Sequence, residues 1–338
     1  MLKLFCSSRS GWLAFAIACF VLLQACGRGR HRVLEVAYVS APQAALRDQV
    51  AAIYNRVGYV KNGERVEIMD REKRFARVRT DAGLEGWIEQ RFLVDQKTFD
   101  GLQKLTRDHQ SDPVQAPGVL RNDTNLHLSP GRDSEHLYQL ASGAKVVILQ
   151  RATAEKQPGA APPPKPVAVK GKAPAGPALE DWWLVRDDQG RAGWVLSRMV
   201  DVDVPLDIAQ YAEGQRFVAF FTLNEVQDGD KKVPQYLCLL TDPHDGAPYD
   251  YDQVRVFTWN VRKHRYETAY REHGVDGVLP VTVTHEDFDK EGTLPVFILR
   301  LKDDAGNITE HKYKLNTLIV RRVLAPGEVA PRQVKSRR

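Results

Sequence analysis

Over residues 205–325, apolar and polar side chains alternate in short runs broken by turn residues. Val254-Arg255-Val256-Phe257-Thr258-Trp259 is the clearest run, the pattern of a strand with one buried and one wet face. Runs at 217–226 and 233–241 flank Asp228-Gly229, runs at 254–260 and 264–270 bracket Val261-Arg262-Lys263, and runs at 296–302 and 308–315 flank Asp304-Ala305-Gly306-Asn307. Each predicts a hairpin, and together they predict an antiparallel β-sandwich or barrel of about six to eight strands. Residues 326–338 lack the alternation and are expected to be disordered.

A helical period marks two other segments. In 97–109 (KTFDGLQKLTRDH), Phe99, Leu102 and Leu105 share one face, which predicts a short amphipathic helix in a linker of residues 96–116, ended by Asp112-Pro113 and Pro117-Gly118. Residues 41–57 (APQAALRDQVAAIYNRV) are rich in alanine and also carry apolar residues at helical spacing.

Near the N-terminus the apolar run is unbroken. Lys3 and Arg9 precede 12–23 (WLAFAIACFVLL), which is shorter than the roughly 20 residues that span a bilayer, so residues 1–25 are expected to be a signal peptide. The run ends Leu23-Gln24-Ala25-Cys26, which resembles the bacterial lipobox. That resemblance implies acylation of the Cys26 thiol, cleavage before it, and residues 26–32 as an anchor linker. Ala16-Ile17-Ala18-Cys19 has alanine at −3 and leaves too short an apolar run to serve instead. Ordinary secretory cleavage beside a coincidental cysteine is the alternative. Several acyl chains hold a protein at a membrane durably, where one holds it reversibly. Gly27 is not the aspartate that retains enterobacterial lipoproteins at the inner membrane, so the expected address is the periplasmic face of the outer membrane.

The chain also matches itself. Residues 77–88 (RVRTDAGLEGWI) align with 184–195 (LVRDDQGRAGWV), and Arg91 with Arg198, at an offset of 107. Upstream, 62–69 (NGERVEIM) align with 142–149 (SGAKVVIL) at an offset of 80. An offset that grows marks an insertion, expected over 151–181, where the chain reads GAAPPPKPVAVKGKAPAGP. Such a mixture of Pro, Ala, Gly and Lys buries no apolar area and is expected to stay extended.

Gly63, Val66, Val78, Gly86 and Trp87 in the first copy, and Gly143, Val146, Trp183, Val185, Gly193 and Trp194 in the second, resemble the bacterial SH3 domain. The resemblance implies two small barrels, at 33–95 and 117–203, each with a groove for peptidoglycan stem peptide or a protein partner. Residues 205–325 are similar to the C-terminal parts of other SH3-containing envelope proteins, which implies no activity. The expected fold class is therefore mainly β: two SH3-like barrels, a short linking helix and a β-rich C-terminal domain.

Composition narrows the function. Of 338 residues, 43% are hydrophobic and 27% charged, as in a soluble globular protein of two or three domains. The net charge of +5 falls by two once Lys3 and Arg9 leave, too mild and too scattered an excess for nucleic acid. After processing, Cys238 is the one cysteine not committed to lipid, so no intramolecular disulfide forms; its setting (YLCLL) reads as a strand.

No phosphate loop, Gly-x-Ser-x-Gly, His-Glu-x-x-His or Cys-x-x-Cys occurs. Bacterial SH3 modules accompany cell-wall peptidases, so a Cys/His hydrolase is the enzyme to weigh. Its nucleophile belongs at a helix N-terminus, unlike Cys238. Asp242, Asp245, Asp250 and Asp252, with His244 near, fit no calcium loop. The basic, aromatic stretch 262–271 would place His264, Tyr266, Thr268 and Tyr270 on one strand face, either a glycan or acidic-partner surface or simply a wet one. Lys165, Lys170 and Lys172 either touch anionic polymer and headgroups or belong to an inert spacer.

Trp87 and Trp194 are candidate ligand platforms or core residues, and Tyr54, Phe75, Tyr138 and Trp183 are equally candidate groove aromatics, beside Tyr266 and Tyr270. The reading is a lipid-anchored envelope binding protein with no catalytic residue, metal or cofactor. The alternatives are an assembly subunit of an envelope complex and an accessory or remnant of a cell-wall hydrolase.

Overall fold

The computed structural model describes residues 32–50, 53, 55–157 and 177–324. Seven strands form the first antiparallel sheet: β1 (Glu35–Val39), β2 (Gln43–Arg47), β3 (Arg56–Lys61), β4 (Arg65–Glu72), β5 (Phe75–Thr80), β6 (Glu85–Glu89) and β7 (Leu93–Asp95), in the order β3-β2-β6-β5-β4-β1-β7. The second contains β8 (Ala116–Leu120), β9 (Thr124–His127), β10 (His136–Leu140), β11 (Lys145–Glu155), β12 (Leu179–Asp187), β13 (Ala192–Leu196) and β14 (Val200–Val202). Its order, β10-β9-β13-β12-β11-β8-β14, is that of the first sheet advanced by seven strands. A single 3-10 turn precedes the last strand of each, Gln90–Phe92 and Ser197–Met199. The internal repeat in sequence is thus a repeat in topology.

The third sheet is a meander of β15 (Arg216–Asp228), β16 (Lys231–Thr241), β17 (Tyr251–Asn260), β18 (Arg265–Asp287), β19 (Thr293–Lys302), β20 (Ile308–Asn316) and β21 (Ile319–Val323), each paired with its successor. Its hairpins turn at the three sites that the alternation marks, so the mainly β class expected from the sequence is what the chain adopts.

Three local expectations differ. Within 41–57, where the apolar spacing is helical, residues 43–47 form β2 and β3 begins at residue 56, because Ala44 and Leu46 alternate into the first core while β3 and β6 supply ladder partners, and tertiary pairing outweighs alanine's helix propensity. Pro117-Gly118 lie inside β8. The β11–β12 ladder runs out to Glu155 opposite Leu179, so the insertion expected over 151–181 begins and ends inside paired strand. Lys165, Lys170 and Lys172 lie outside the described residues, as do residues 1–31 and 325–338.

Helix α1 (Gln96–Asp108) is capped by Asp95, whose side chain accepts from the Thr98 N–H, and it braces both barrels. Tyr38 of β1 stacks on Phe99 with ring centroids 3.9 Å apart and donates to Gln96 Oε1 at 3.0 Å. On the other side, Leu105 packs against Leu149, Leu184 and Ala192, and Thr106 accepts the Ala192 N–H. Asn62 ties the barrels directly: Nδ2 donates to the carbonyls of Ser40 and Leu137, and Oδ1 accepts the Gln139 N–H.

Two buried polar side chains join the second barrel to the third sheet. Gln115, fully buried, exchanges hydrogen bonds with Val281, its Oε1 accepting the amide N–H at 2.7 Å. Asp181, also fully buried, accepts from Arg151 and Arg216 at 2.6 Å each and from the Gly246 N–H at 3.0 Å. The apolar core runs unbroken across the same junction, from Leu126, Ile148 and Trp183 to Leu237, Val256 and Phe297. The opposite face of the third sheet buries Cys238, Phe257 and Tyr266 under Ile208 of α2 (Leu206–Ala209). Among the described residues no helix is long and apolar enough to cross a membrane.

Candidate functional site

A groove recurs at the same place in both barrels. In the first it is small, about 80 Å³, and lined by Ala45, Arg47, Phe75, Trp87, Glu89 and Phe92. Strand parity builds it: Phe75 pairs with Glu89, and Trp87 lies between Arg77 and Arg47, so these side chains leave the sheet on one face. In the second barrel Asn125, His127, Trp182, Leu196 and Met199 stand where Ala45, Arg47, Phe75, Glu89 and Phe92 stand in the first, at the same offsets of 80 and 107. There the groove widens to about 250 Å³ and adds Asp123, Thr124 and Arg132.

The glycine of each Gly-Trp pair has a steric role. A Cβ on Gly193 would lie 2.5 Å from Leu126 Cβ, and one on Gly86 2.8 Å from Leu46 Cβ. Strands β6 and β13 thus pass so close to β2 and β9 that only hydrogen fits. The tryptophan beside each glycine emerges on the other face, half-buried.

The second groove carries unspent polar chemistry. The indole Nε1 of Trp182 is buried and finds no acceptor among the described residues. His127 presents its ring edge to Trp182 at 5.3 Å and lies 5.1 Å from His136. Its Nδ1 donates to the Ser134 carbonyl at 3.0 Å. Burial holds the His127 imidazole below its ordinary pKa, against that carbonyl, with the neighbouring His136 adding to the depression. Arg132 closes one end in a two-point pair with Glu180, at 2.7 and 2.6 Å. This pairing keeps the Glu180 carboxyl below its usual range despite its burial.

Of the residues singled out from sequence, Phe75 and Trp87 meet in the first groove. Cys26 and Tyr54 lie outside the described residues. Tyr138 is a buttress instead of a groove aromatic: buried beneath Arg191 at 4.5 Å, it receives a hydrogen bond from Gln103 and faces Gly63 across the barrel junction. Trp183 belongs to the core, and the groove position falls to Trp182. The repeat carried that signal, since an offset of 107 from Phe75 reaches Trp182 and not Trp183. Trp194 is half-buried and packs against the cluster of Leu149, Leu184 and Ala192.

Tyr266 and Tyr270 do not share a face. Val256 pairs with Tyr270 and Phe257 with Thr268, leaving Ala269 as an extra residue in β18, and such a bulge exchanges the faces beyond it. Tyr266 therefore packs with Phe257 and Trp259, where its hydroxyl donates to the Pro234 carbonyl at 3.0 Å. Tyr270 packs toward Tyr313 on the opposite side and donates to Glu272 at 2.6 Å.

The remaining candidate chemistry is dispersed. Cys238 is fully buried in mid-strand opposite Arg255, and burial pushes its thiol far above the ordinary value. Asp245 pairs with Arg216, whereas Asp250 pairs with Arg151 and accepts the Leu279 N–H. Among the described residues no three His, Cys, Asp or Glu side chains are grouped to hold a metal ion.

Comparison with known proteins agrees with the first barrel. Residues 43–94, from β2 into β7, match the family described as "Bacterial SH3 domain", so the chain contains one such domain in a mainly β protein of three antiparallel sheets. No curated protein matches the chain. Among solved structures it is similar to an NlpC/P60 family protein from Bacillus cereus ATCC 10987, with 11% identity, 57% of this chain and 65% of that one covered, and a TM-score of 0.23. This chain thus spans slightly less than two thirds of that protein. NlpC2 and NlpC1 from Trichomonas vaginalis cover 82% of this chain, and 96% and 87% of their own lengths, at 11% and 10% identity and TM-scores of 0.17. Likeness at this level carries no inference about activity.

Proposed function

We propose that this chain is a lipid-anchored binding protein of the bacterial cell envelope, held through acylated Cys26, whose two SH3-like grooves take up peptidoglycan peptide or a segment of a protein partner. On this reading the second barrel is a second bacterial SH3 module, and the anchor places both on the periplasmic face, with the outer membrane favoured. The observation that carries the reading is the recurrence of one groove at matching positions in both barrels, with the buried Trp182 indole N–H unpaired among the described residues at the second. A ligand carbonyl or carboxylate would satisfy that donor, whose isolation otherwise costs about 1–3 kcal/mol. The protein acts by binding and not by catalysis, a view supported by the burial of Cys238 in a strand.

Ala45→Trp and Asn125→Trp, at matching half-buried positions, fill the two grooves without touching either core. The purified protein is expected to co-sediment with cell-wall sacculi at low and moderate salt, each variant to pellet less, and the double variant to stay in the supernatant with an unchanged melting temperature. A double variant that pellets like the wild type would exclude the grooves. A wild-type protein that never pellets would remove wall binding, and one stoichiometric protein adduct on crosslinking in cells would then favour an assembly subunit. Independently, metabolic fatty-acid labelling that marks the wild type but not Cys26→Ser supports the anchor, and an unlabelled wild type removes it.

A further inference from the structure

Between the second barrel and the third sheet lies a cleft of about 550 Å³, within the range of small-ligand sites and larger than either groove. One wall comes from the barrel, with Trp183, Ser197 and Arg198; the other comes from the start of β15 and the loop after β16, with Gln215, Arg216 and Asp245. Strand β12 divides it from the second groove, since Trp182 lines the groove and Trp183 the cleft.

Three polar atoms of these walls are buried without a partner among the described residues: the hydroxyl of Ser197, Oε1 of Gln215 and Nε of Arg216. Ser197 itself is only 2% exposed, so its orphaned hydroxyl is a feature of the cleft wall and not of a surface rotamer. Such groups are paired in almost all folded proteins, and here an acceptor, a donor and a hydroxyl able to play either part belong to residues that line one cavity.

The charges in the cleft are differently committed. Arg216 is held between Asp181 and Asp245, and Arg121 by Asp201. Arg198 lies 3.7 Å from Glu180, whose two oxygens are already engaged by Arg132. Half-exposed at the cleft, Arg198 has this long contact with Glu180 as its closest charged partner among the described residues, which leaves its fork able to turn to an incoming carboxylate. The aspartates Asp201 and Asp245 share the lining, which disfavours a polyanion such as phosphate and suits a ligand that also brings N–H donors.

We infer that this cleft is a third binding site, for a short peptide with a free C-terminal carboxylate. The carboxylate pairs with Arg198, the peptide N–H groups face Gln215 and Asp245, and a peptide carbonyl accepts from Arg216 or Ser197. This site does not depend on the grooves being occupied or functional.

The test is calorimetric titration of the purified full chain with trialanine, trialanine C-terminal amide and inorganic phosphate. Trialanine is expected to bind, its amide at least about ten-fold more weakly, as the loss of one charge-assisted pair predicts, and phosphate not measurably. Arg198→Gln, a half-exposed substitution that leaves the fold intact by melting temperature, is expected to abolish the difference between acid and amide. The Ala45→Trp/Asn125→Trp double variant is expected to bind trialanine as the wild type does, which separates this site from the grooves. Equal binding of acid and amide, tighter binding of phosphate than of trialanine, no binding of trialanine, or an unaltered Arg198→Gln would each overturn the assignment.

Discussion

Replacing Asp181 by alanine tests what joins the second barrel to the third sheet. The carboxylate is fully buried and accepts from Arg151, Arg216 and the Gly246 N–H, and the Arg151 side chain is itself 4% exposed. Breaking a buried pair from one side typically costs about 3–5 kcal/mol, because the surviving charge stays desolvated. Arg151 retains Asp250 at 3.2 Å and the Tyr249 carbonyl at 2.7 Å, and Arg216 retains Asp245 at 3.0 Å. Those partners place the expected loss at the lower end, about 3 kcal/mol, or roughly 6–12 °C in melting temperature for a body of this size.

The same residue fixes a pH signature. Burial by itself would raise the Asp181 carboxyl, but the hydrogen bonds from Arg151, the Gly246 N–H and Arg216, with the charge of Arg151, outweigh it and hold the group below its ordinary 3.8. A depressed carboxyl contributes stability that is complete above the ordinary value and is lost as pH falls through the depressed one. Urea titrations should therefore show a gap between wild type and Asp181→Ala that is constant near neutrality and narrows only below about pH 4. A gap under about 1 kcal/mol at pH 7, or one that persists undiminished in strong acid, would refute the argument.

Three further outcomes follow from the geometry. Gly193→Ala should destabilise by about 2–3 kcal/mol and Gly86→Ala by about 1–2, since the new methyl meets Leu126 Cβ and Cα at 2.5 and 3.1 Å but Leu46 and Val57 at 2.8 and 2.9 Å; thermal denaturation checks the order, and unaltered melting in both would show that no close approach exists. The His127 imidazole, facing His136, Trp182 and the Ser134 carbonyl with Arg132 in the same groove, should titrate below 6.5 by NMR, so its contribution to stability is complete above 6.5 and lost as pH falls from there through the depressed pKa; a midpoint at or above 6.5 would contradict the burial argument. Cys238 should resist iodoacetamide in the folded chain and react in urea, because its thiol is buried and held protonated; prompt labelling of the folded protein would remove that account.

Much of this architecture is local and was therefore legible in the chain. Alternation fixes which residues form strands, Asp-Gly and Asp-Ala-Gly-Asn fix where the third sheet turns, and the Gly-Trp repeat announces two units of one topology. The helical face of Phe99, Leu102 and Leu105 likewise foretells α1, because a 3.6-residue period needs no distant partner to be recognised.

What escaped is whatever depends on a partner far along the chain. Within alanine-rich 41–57, residues 43–47 become strand because β3 and β6 pair with them, and Ala269 exchanges the faces of Tyr266 and Tyr270 because β17 offers one residue where β18 has two. The repeat offset marks Trp182 over Trp183 for the groove, whereas the use of Tyr138 as a brace follows from the way β10 packs against neighbours more than thirty residues away in sequence. By itself the sequence determined the strands, their turns and the repeat, since period and turn chemistry act within a few residues. Only the tertiary structure decided the junctions at Asn62, Gln115 and Asp181 and the cleft beside them, because the energy of a buried polar group is set by the partners that folding brings to it.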